Sequence, residues 1–81
     1  MDGIVEVVQL LNQIEEDLSV PKNVRNRIST MKIMFEQKSL DIHIKIDRSL
    51  QELDEISDDP NIPSFIRTQI WSIVSLLESR K

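Results

Sequence analysis

The fold is decided around residues 58–67, which read Asp58-Asp59-Pro60-Asn61-Ile62-Pro63-Ser64-Phe65-Ile66-Arg67. Pro60 disfavours the helical conformation at the residue before it, so a helix is expected to end near Asp59. Asn61 suits the N-cap of the next helix, because its side-chain oxygen can accept a hydrogen bond from a free backbone amide of the first turn. Pro63 suits the start of that helix, where a missing N–H costs nothing. The stretch therefore predicts a tight corner between two helices.

A looser copy of this corner lies 42 positions earlier, where Asp59 aligns with Asp17 and Pro63 with Pro21. The same offset aligns residues of the apolar helix faces. These pairs are Leu53 with Leu11, Ile56 with Ile14, Ile66 with Val24 and Ile70 with Ile28. Because turn chemistry and apolar face agree, we interpret the chain as two helical hairpins in tandem. The alternative is that any two amphipathic hairpins look alike.

Apolar residues recur at helical spacing in four segments. The first apolar stripe comprises Ile4, Val7, Val8, Leu11, Ile14 and Leu18. We predict helices over about residues 2–17, 22–37, 40–57 and 63–78. Asp2 is a candidate N-cap of the first helix, and Ser39 or Asp41 of the third. Helices joined by short corners pack as antiparallel neighbours, so we expect a single all-α domain over residues 1–81, a four-helix up-and-down bundle.

One segment has two interpretations. Ile42, Ile44 and Ile46 alternate with polar residues, which is a strand pattern. A helical stripe also runs through this segment, and its members are Ile42, Ile46, Leu50, Leu53 and Ile56. An isolated strand would have no partner in this chain, so we predict a helix.

Composition excludes several classes of protein. The 81 residues contain no cysteine and one glycine, and the net charge is −4. Disulfide scaffolds, thiolate zinc sites and cysteine nucleophiles are therefore excluded, and Gly3 lies outside any phosphate-binding loop. No apolar run approaches the ~20 residues of a membrane span. The start Met1-Asp2-Gly3 has no basic region of a secretory signal, so we expect a cytoplasmic protein.

Two polar groups are weak candidates for chemistry. His43, the one histidine, lies a turn before Asp47 and near Asp41, which allows either a sparse metal site or a solvated pair. The second group is the acidic cluster Glu52, Asp54, Glu55, Asp58 and Asp59. It lacks the central glycine of a calcium loop and is expected to be a solvated face. We therefore predict no metal, no cofactor and no enzyme activity.

The second helix carries a basic patch, whose members are Lys22, Arg25, Arg27 and Lys32. RNA contact is one interpretation, because clustered basic side chains neutralise phosphates. No aromatic residue is interleaved to stack on bases, and no RNA-binding motif is present. Arg25 and Arg67 hold the same position after each corner and are expected to pair back across it.

Apolar residues exceed what one inward face per helix requires. The surplus comprises Trp71, Phe65, Ile33, Leu10 and Val5. Trp71 fits either the core or an interface, because aromatic residues are common in both. A second buried surface would require a homodimer or a protein partner. We therefore expect a non-enzymatic bundle that self-associates or docks on another protein, with an RNA- or ribosome-associated factor as the alternative.

The corner at residues 58–63 and the helix after it resemble a known family. Leu53-Asp54-Glu55-Ile56-Ser57-Asp58-Asp59-Pro60-Asn61-Ile62-Pro63, Arg67 and Ile70-Trp71-Ser72-Ile73-Val74 resemble uncharacterised protein family 0147, a family of small archaeal proteins. Val20-Pro21-Lys22-Asn23-Val24-Arg25 resembles that family's first corner. The resemblance covers nearly the whole chain and implies an archaeal cytoplasmic four-helix bundle, but no activity and no site residue. The segment 31–35 is bulkier than the alanine-rich helix expected there, so its packing should differ.

Overall fold

The computed structural model describes residues 3–80, and all regular secondary structure in that range is helical. The helices are α1 (Gly3–Glu16), α2 (Lys22–Glu36), α3 (Ile42–Ser57) and α4 (Ser64–Glu78). The prediction of an all-α chain with four helices is confirmed, and the alternating isoleucines belong to α3 rather than to a strand. The predicted cap Asp2 lies outside the described residues.

Helix α3 begins at Ile42, two residues later than predicted, because Asp41 is its N-cap. The Asp41 carboxylate accepts a hydrogen bond from the backbone N–H of His43 at 2.7 Å. This satisfies one of the free donors at the helix start. Of the two predicted caps, Asp41 is therefore correct and Ser39 is not.

The first and third corners are closed by aspartates instead of by N-cap side chains. The carboxylate of Asp59 accepts from the N–H of Asn61 at 2.8 Å, and that of Asp17 from the N–H of Ser19 at 2.9 Å. The N-cap position of α4 is occupied by Pro63, which has no side-chain cap hydrogen bond. The prediction that Asn61 caps α4 is therefore wrong. An aspartate that bonds to the backbone two residues ahead makes a turn of its own, and here it replaces the cap.

Each of these two corners also places one apolar side chain in the core. Val20 is buried in the first corner and Ile62 in the third. Leu18, predicted to continue the stripe of the first helix, is 84% exposed. Because α1 ends at Glu16, Leu18 lies in the corner, outside helical register, and that prediction is wrong.

The core draws on all four helices and repeats at the 42-residue offset. The buried residues of the first half are Val7, Leu11, Ile14, Val20, Val24, Ile28, Met31 and Phe35. At the offset they correspond to Ser49, Leu53, Ile56, Ile62, Ile66, Ile70, Ile73 and Leu77, which are also buried. Ser49 is the one polar member of this set. Its hydroxyl oxygen has no hydrogen-bond partner among residues 3–80.

Each helix packs against two others. Helix α1 contacts α2 and α4, and α3 contacts the same two helices. The ammonium group of Lys45, 7% exposed, donates to the Phe35 carbonyl at 3.2 Å and so joins the start of α3 to the end of α2. At the start of α1, a Cβ on Gly3 would lie 3.2 Å from Cδ of Arg80. The start of α1 is therefore next to the end of the chain after α4.

Candidate interaction surface

The predicted basic patch does not form one surface. Nε of Arg27 donates to the Glu52 carboxylate at 2.7 Å, and its terminal nitrogen lies 3.1 Å from Glu55, both on α3. Nζ of Lys32 lies 2.6 Å from the Glu15 carboxylate on α1. These bases thus contact different neighbours on opposite flanks of α2, and each is engaged by an acid.

The ion pairs shift the pKa values of Glu15 and Arg27. Hydrogen bonds with Lys32 and with Ser29 hold the pKa of Glu15 below its ordinary value. Partial burial opposes the charged form of Arg27, but hydrogen bonds to Glu52 and Glu55 outweigh it and raise the pKa of the guanidinium. Both shifts favour the charged form, the carboxylate of Glu15 and the guanidinium of Arg27.

The remaining arginines of the corners bind backbone. Nε of Arg25 donates to the Val20 carbonyl at 3.1 Å. Arg67 donates to the carbonyls of Ser57 and Asp59, each at 2.9 Å. The arginines do reach back across their corners, but the acceptors are backbone carbonyls and not acidic side chains. Of the predicted patch, Lys22 is exposed and the other three residues are half-buried.

The acidic cluster is divided between structural roles. Glu52 and Glu55 pair with Arg27, and Asp59 closes the third corner. The prediction of a solvated face is confirmed for Asp54, Glu55 and Asp58, which are exposed, whereas Glu52 and Asp59 are half-buried. His43 is exposed, and residues 3–80 contain no group of three or more side chains that could hold a metal ion.

The surplus apolar residues fall into two groups. Leu10 is partly buried and packs against the core. The exposed members are Val5, Ile33, Phe65 and Trp71. Trp71 is 57% exposed, so it is not part of the core of a single chain. Three exposed apolar residues were missing from the predicted set, namely Leu18, Ile42 and Ile44.

Trp71 lies at a groove between α3 and α4, which we call the Trp71 groove. Its volume is 340 Å³, and it is lined by Leu50, Gln51, Leu53, Asp54, Ser57, Trp71, Val74 and Glu78. No base is among these residues. Neither Asp54 nor Glu78 forms an ion pair with any residue between 3 and 80.

Two other grooves differ in charge. The α2/α3 groove, of 520 Å³, is lined by Arg27, Thr30, Met31, Met34, Arg48, Gln51, Glu52 and Glu55. The α1/α2 groove, of the same volume, is lined by Val8, Gln9, Asn12, Gln13, Lys32 and Glu36. Each contains a base that is paired with an acid from the adjoining helix. The Trp71 groove is thus the one among these three that no basic residue lines.

A model of the uncharacterised protein family UPF0147 matches residues 1–79. The chain belongs to this family. UPF0147 protein Ta0600 of the archaeon Thermoplasma acidophilum is 36% identical over 74 residues, which span 91% of this chain and 84% of that protein. The family resemblance of residues 53–74 is thereby confirmed.

Two solved structures have the same fold. A crystal structure of a UPF0147 protein from Thermoplasma acidophilum matches with a TM-score of 0.92 and 34% identity, over 98% of this chain and 93% of that chain. The crystal structure of a protein of unknown function, MMP1188, matches with a TM-score of 0.90 and 38% identity, over 99% and 91%. UPF0147 is an uncharacterised family, so membership in it assigns no activity, ligand or partner to this chain. No helix within residues 3–80 is both long and apolar enough to cross a bilayer.

Proposed function

We propose that this UPF0147 protein is a non-enzymatic, cytoplasmic protein-interaction module. In this proposal the four helices form an up-and-down bundle of two tandem hairpins, and the bundle binds its partner through the Trp71 groove. The observation that carries the proposal is the 57% exposure of Trp71 beside partly buried Leu50 and Val74.

The bundle is supported by the helix contacts. Each helix meets two others, and Lys45 joins the start of α3 to the end of α2. The burial pattern that repeats after 42 residues supports two hairpins of common design. Helices that pack in this way leave a groove along each seam, where side chains of both helices are accessible.

The interaction role is supported by the kind of residue exposed. A tryptophan that stays half in water forgoes a large gain from burial, of about 25 cal/mol per Å² of apolar surface. Tryptophan is also enriched among the residues that dominate binding energy at protein interfaces. The non-enzymatic part is supported by the structural use of Glu52, Glu55 and Asp59.

Nucleic-acid binding through α2 has less support. It needs several bases on one face that are free to neutralise phosphates. Arg27 and Lys32 are engaged on opposite flanks, and Arg25 binds a backbone carbonyl. We therefore keep RNA as an outcome to be tested and not as a second proposal.

The test compares Trp71→Ser with Ile33→Ser, a matched change of an exposed apolar residue on α2. Each immobilised protein is exposed to a nuclease-treated extract of the source organism, and retained proteins are quantified by mass spectrometry. Sedimentation equilibrium of the same proteins measures self-association. We expect a stoichiometric partner, or a dimer, with the unchanged chain and with Ile33→Ser, and its loss with Trp71→Ser.

Equal retention by all three proteins, together with a monomer at every concentration, would contradict the proposal. Retention from an untreated extract that disappears when the extract is treated with nuclease would instead support the RNA alternative. Both variants are compared by circular dichroism, and because both positions are exposed, each should unfold within about 0.5 kcal/mol of the unchanged chain.

A further inference from the structure

We infer that the Trp71 groove binds a basic amphipathic helix of another protein, whose Lys or Arg side chains pair with Asp54 and Glu78. This inference rests on the proposed function and adds the chemistry of the partner. It follows from a comparison of the Trp71 groove with its counterpart in the first hairpin.

The α1/α2 groove is that counterpart at the 42-residue offset. Val8 corresponds to Leu50, Gln9 to Gln51, Asn12 to Asp54, Lys32 to Val74 and Glu36 to Glu78. The position of Trp71 is held by Ser29 in the first hairpin. The two grooves thus occupy equivalent places but differ in a few residues.

Lys32 bridges the first groove. Its ammonium group lies 2.6 Å from Glu15 on α1 and donates to the side-chain oxygen of Asn12 at 2.7 Å. A base from α2 therefore satisfies the polar groups of α1 across the seam. Lys32 serves Asn12 and Glu15 only, and Glu36, the counterpart of Glu78, has no ion pair among residues 3–80.

The second groove lacks this bridge and has more negative charge. Val74 stands where Lys32 would be, and the neutral Asn12 is replaced by Asp54. Trp71 adds a large apolar surface at the same place. A partner's base beside Asp54 would take the place that Lys32 has beside Asn12 in the first hairpin. Further bases would neutralise Glu78, and apolar side chains of the partner would cover Trp71.

The partner's conformation follows from the walls of the groove. Both walls are α-helices, so their backbone donors and acceptors are already used and an extended peptide would gain no main-chain hydrogen bonds. A helix satisfies its own backbone and can lay an apolar face into such a groove. Helix α4 has 15 residues. Its length of about 22 Å accommodates a partner helix of about four turns.

A second copy of this chain is a poor occupant. On α2, Arg27 is engaged with Glu52, Lys32 with Glu15 and Arg25 with a backbone carbonyl, which leaves Lys22 as the one exposed base of that helix. Two copies with a net charge of −4 also repel each other. The partner is therefore a different protein with free bases on one helix.

The experiment selects binders from a display library of 16-residue helices. Four stripe positions are restricted to Leu, Ile, Phe or Met, and the flanking positions vary freely among Lys, Glu and Ser. The full chain is the target, and Trp71→Ser is the counter-target. We expect Lys to be enriched at the flanking positions and Glu to be depleted.

The selected peptide is then titrated against variants that copy the first hairpin. Trp71→Ser should weaken binding more than about tenfold, as for a central aromatic residue. Asp54→Asn should weaken it about threefold to fivefold, as for an exposed ion pair, and less at high salt. Val74→Lys should abolish binding, because the new lysine can reach Asp54 as Lys32 reaches Asn12. Ile33→Ser is the control and should bind like the unchanged chain.

Enrichment of Glu or Ser over Lys would overturn the inference, as would selected binders whose affinity is insensitive to both Asp54→Asn and Val74→Lys. Failure to select any binder that Trp71→Ser loses would do the same. A dimer that depends on Trp71 would overturn the choice of a separate partner, but it would leave the proposed interaction function standing. The extract experiment thus tests the function, and the peptide selection tests the partner's chemistry.

Discussion

At the scale of single residues, Ser49 is the one polar member of the buried set that repeats after 42 residues. It is fully buried on α3, and its hydroxyl has no hydrogen-bond partner among residues 3–80. Its counterpart in the first half is Val7, also fully buried. Other hydroxyls of the chain, such as those of Thr30 and Ser72, bond to the carbonyl four residues earlier. Ser49 therefore loses hydration without a replacement.

We predict that Ser49→Ala stabilises the protein. Removal of an unsatisfied buried hydroxyl should raise the free energy of unfolding by about 1 kcal/mol, beyond the small gain in helix propensity. The measurement is urea unfolding followed by circular dichroism. Ser75→Ala on the exposed face of α4 is the control, because it changes helix propensity alone. Equal gains for the two variants would show that the Ser49 hydroxyl is satisfied in solution.

At the scale of the elements, the corners decide where each helix stops and which residue anchors it. An aspartate closes the backbone of the first and third corners, and an apolar residue three positions later enters the core. These anchors are Val20 and Ile62. Leu18, one residue after the closing aspartate of the first corner, points to solvent. Position in the corner therefore decides whether an apolar residue is buried or exposed, which helical spacing alone does not predict.

We predict that Ile62→Ala and Leu18→Ala differ sharply in their effect. Ile62→Ala should lower the free energy of unfolding by about 2–4 kcal/mol, because it leaves a cavity under the corner. Leu18→Ala should change it by less than about 0.5 kcal/mol. Thermal and urea unfolding measure both. A loss above 1 kcal/mol for Leu18→Ala would mean that this side chain is packed in solution.

At the scale of the whole molecule, the helices divide by charge. Helix α2 is basic and lies between two acidic helices, with Lys32 paired to Glu15 on α1 and Arg27 to Glu52 on α3. Helix α4 contacts the same two helices but brings Val74 and Trp71 to the seam with α3. The acidic charge of α3 is therefore balanced on the side of α2 and unbalanced on the side of α4.

We predict that acid weakens the α1–α2 seam. The pKa of Glu15 is lowered from 4.5, first by its hydrogen bond with Lys32, so folding favours the carboxylate. Its contribution is then present above pH 4.5 and is lost as the pH falls through the lowered folded-state pKa. The Glu15 side chain is 27% exposed, so the contribution is below about 1 kcal/mol.

The measurement is urea unfolding of the unchanged chain and of Glu15→Gln between pH 7 and pH 2. The variant should be less stable at pH 7, and the difference should vanish at the acid end. Glu16→Gln, on the exposed face of the same turn, is the control. A difference that persists unchanged to pH 2 would show that packing, and not charge, makes the Glu15 contribution.

The sequence by itself determined the parts of this protein that depend on neighbours along the chain. Helical spacing identified four helices and most of the buried residues, because the residues of one helix face recur every three or four positions. Pro60, Pro63 and the aligned Asp17 and Asp59 located the corners. Residues 53–74, around the third corner, were enough to indicate the family.

Only the tertiary structure decided which side chains meet. The predicted basic patch separated into two ion pairs, because Arg27 faces α3 and Lys32 faces α1. Trp71, equally suited to core or surface by its spacing, lies at the edge of α4, where the approach of α3 leaves a groove. Spacing records the angle of a residue around its own helix, whereas pairing and exposure depend on which neighbour stands at that angle and how closely it packs.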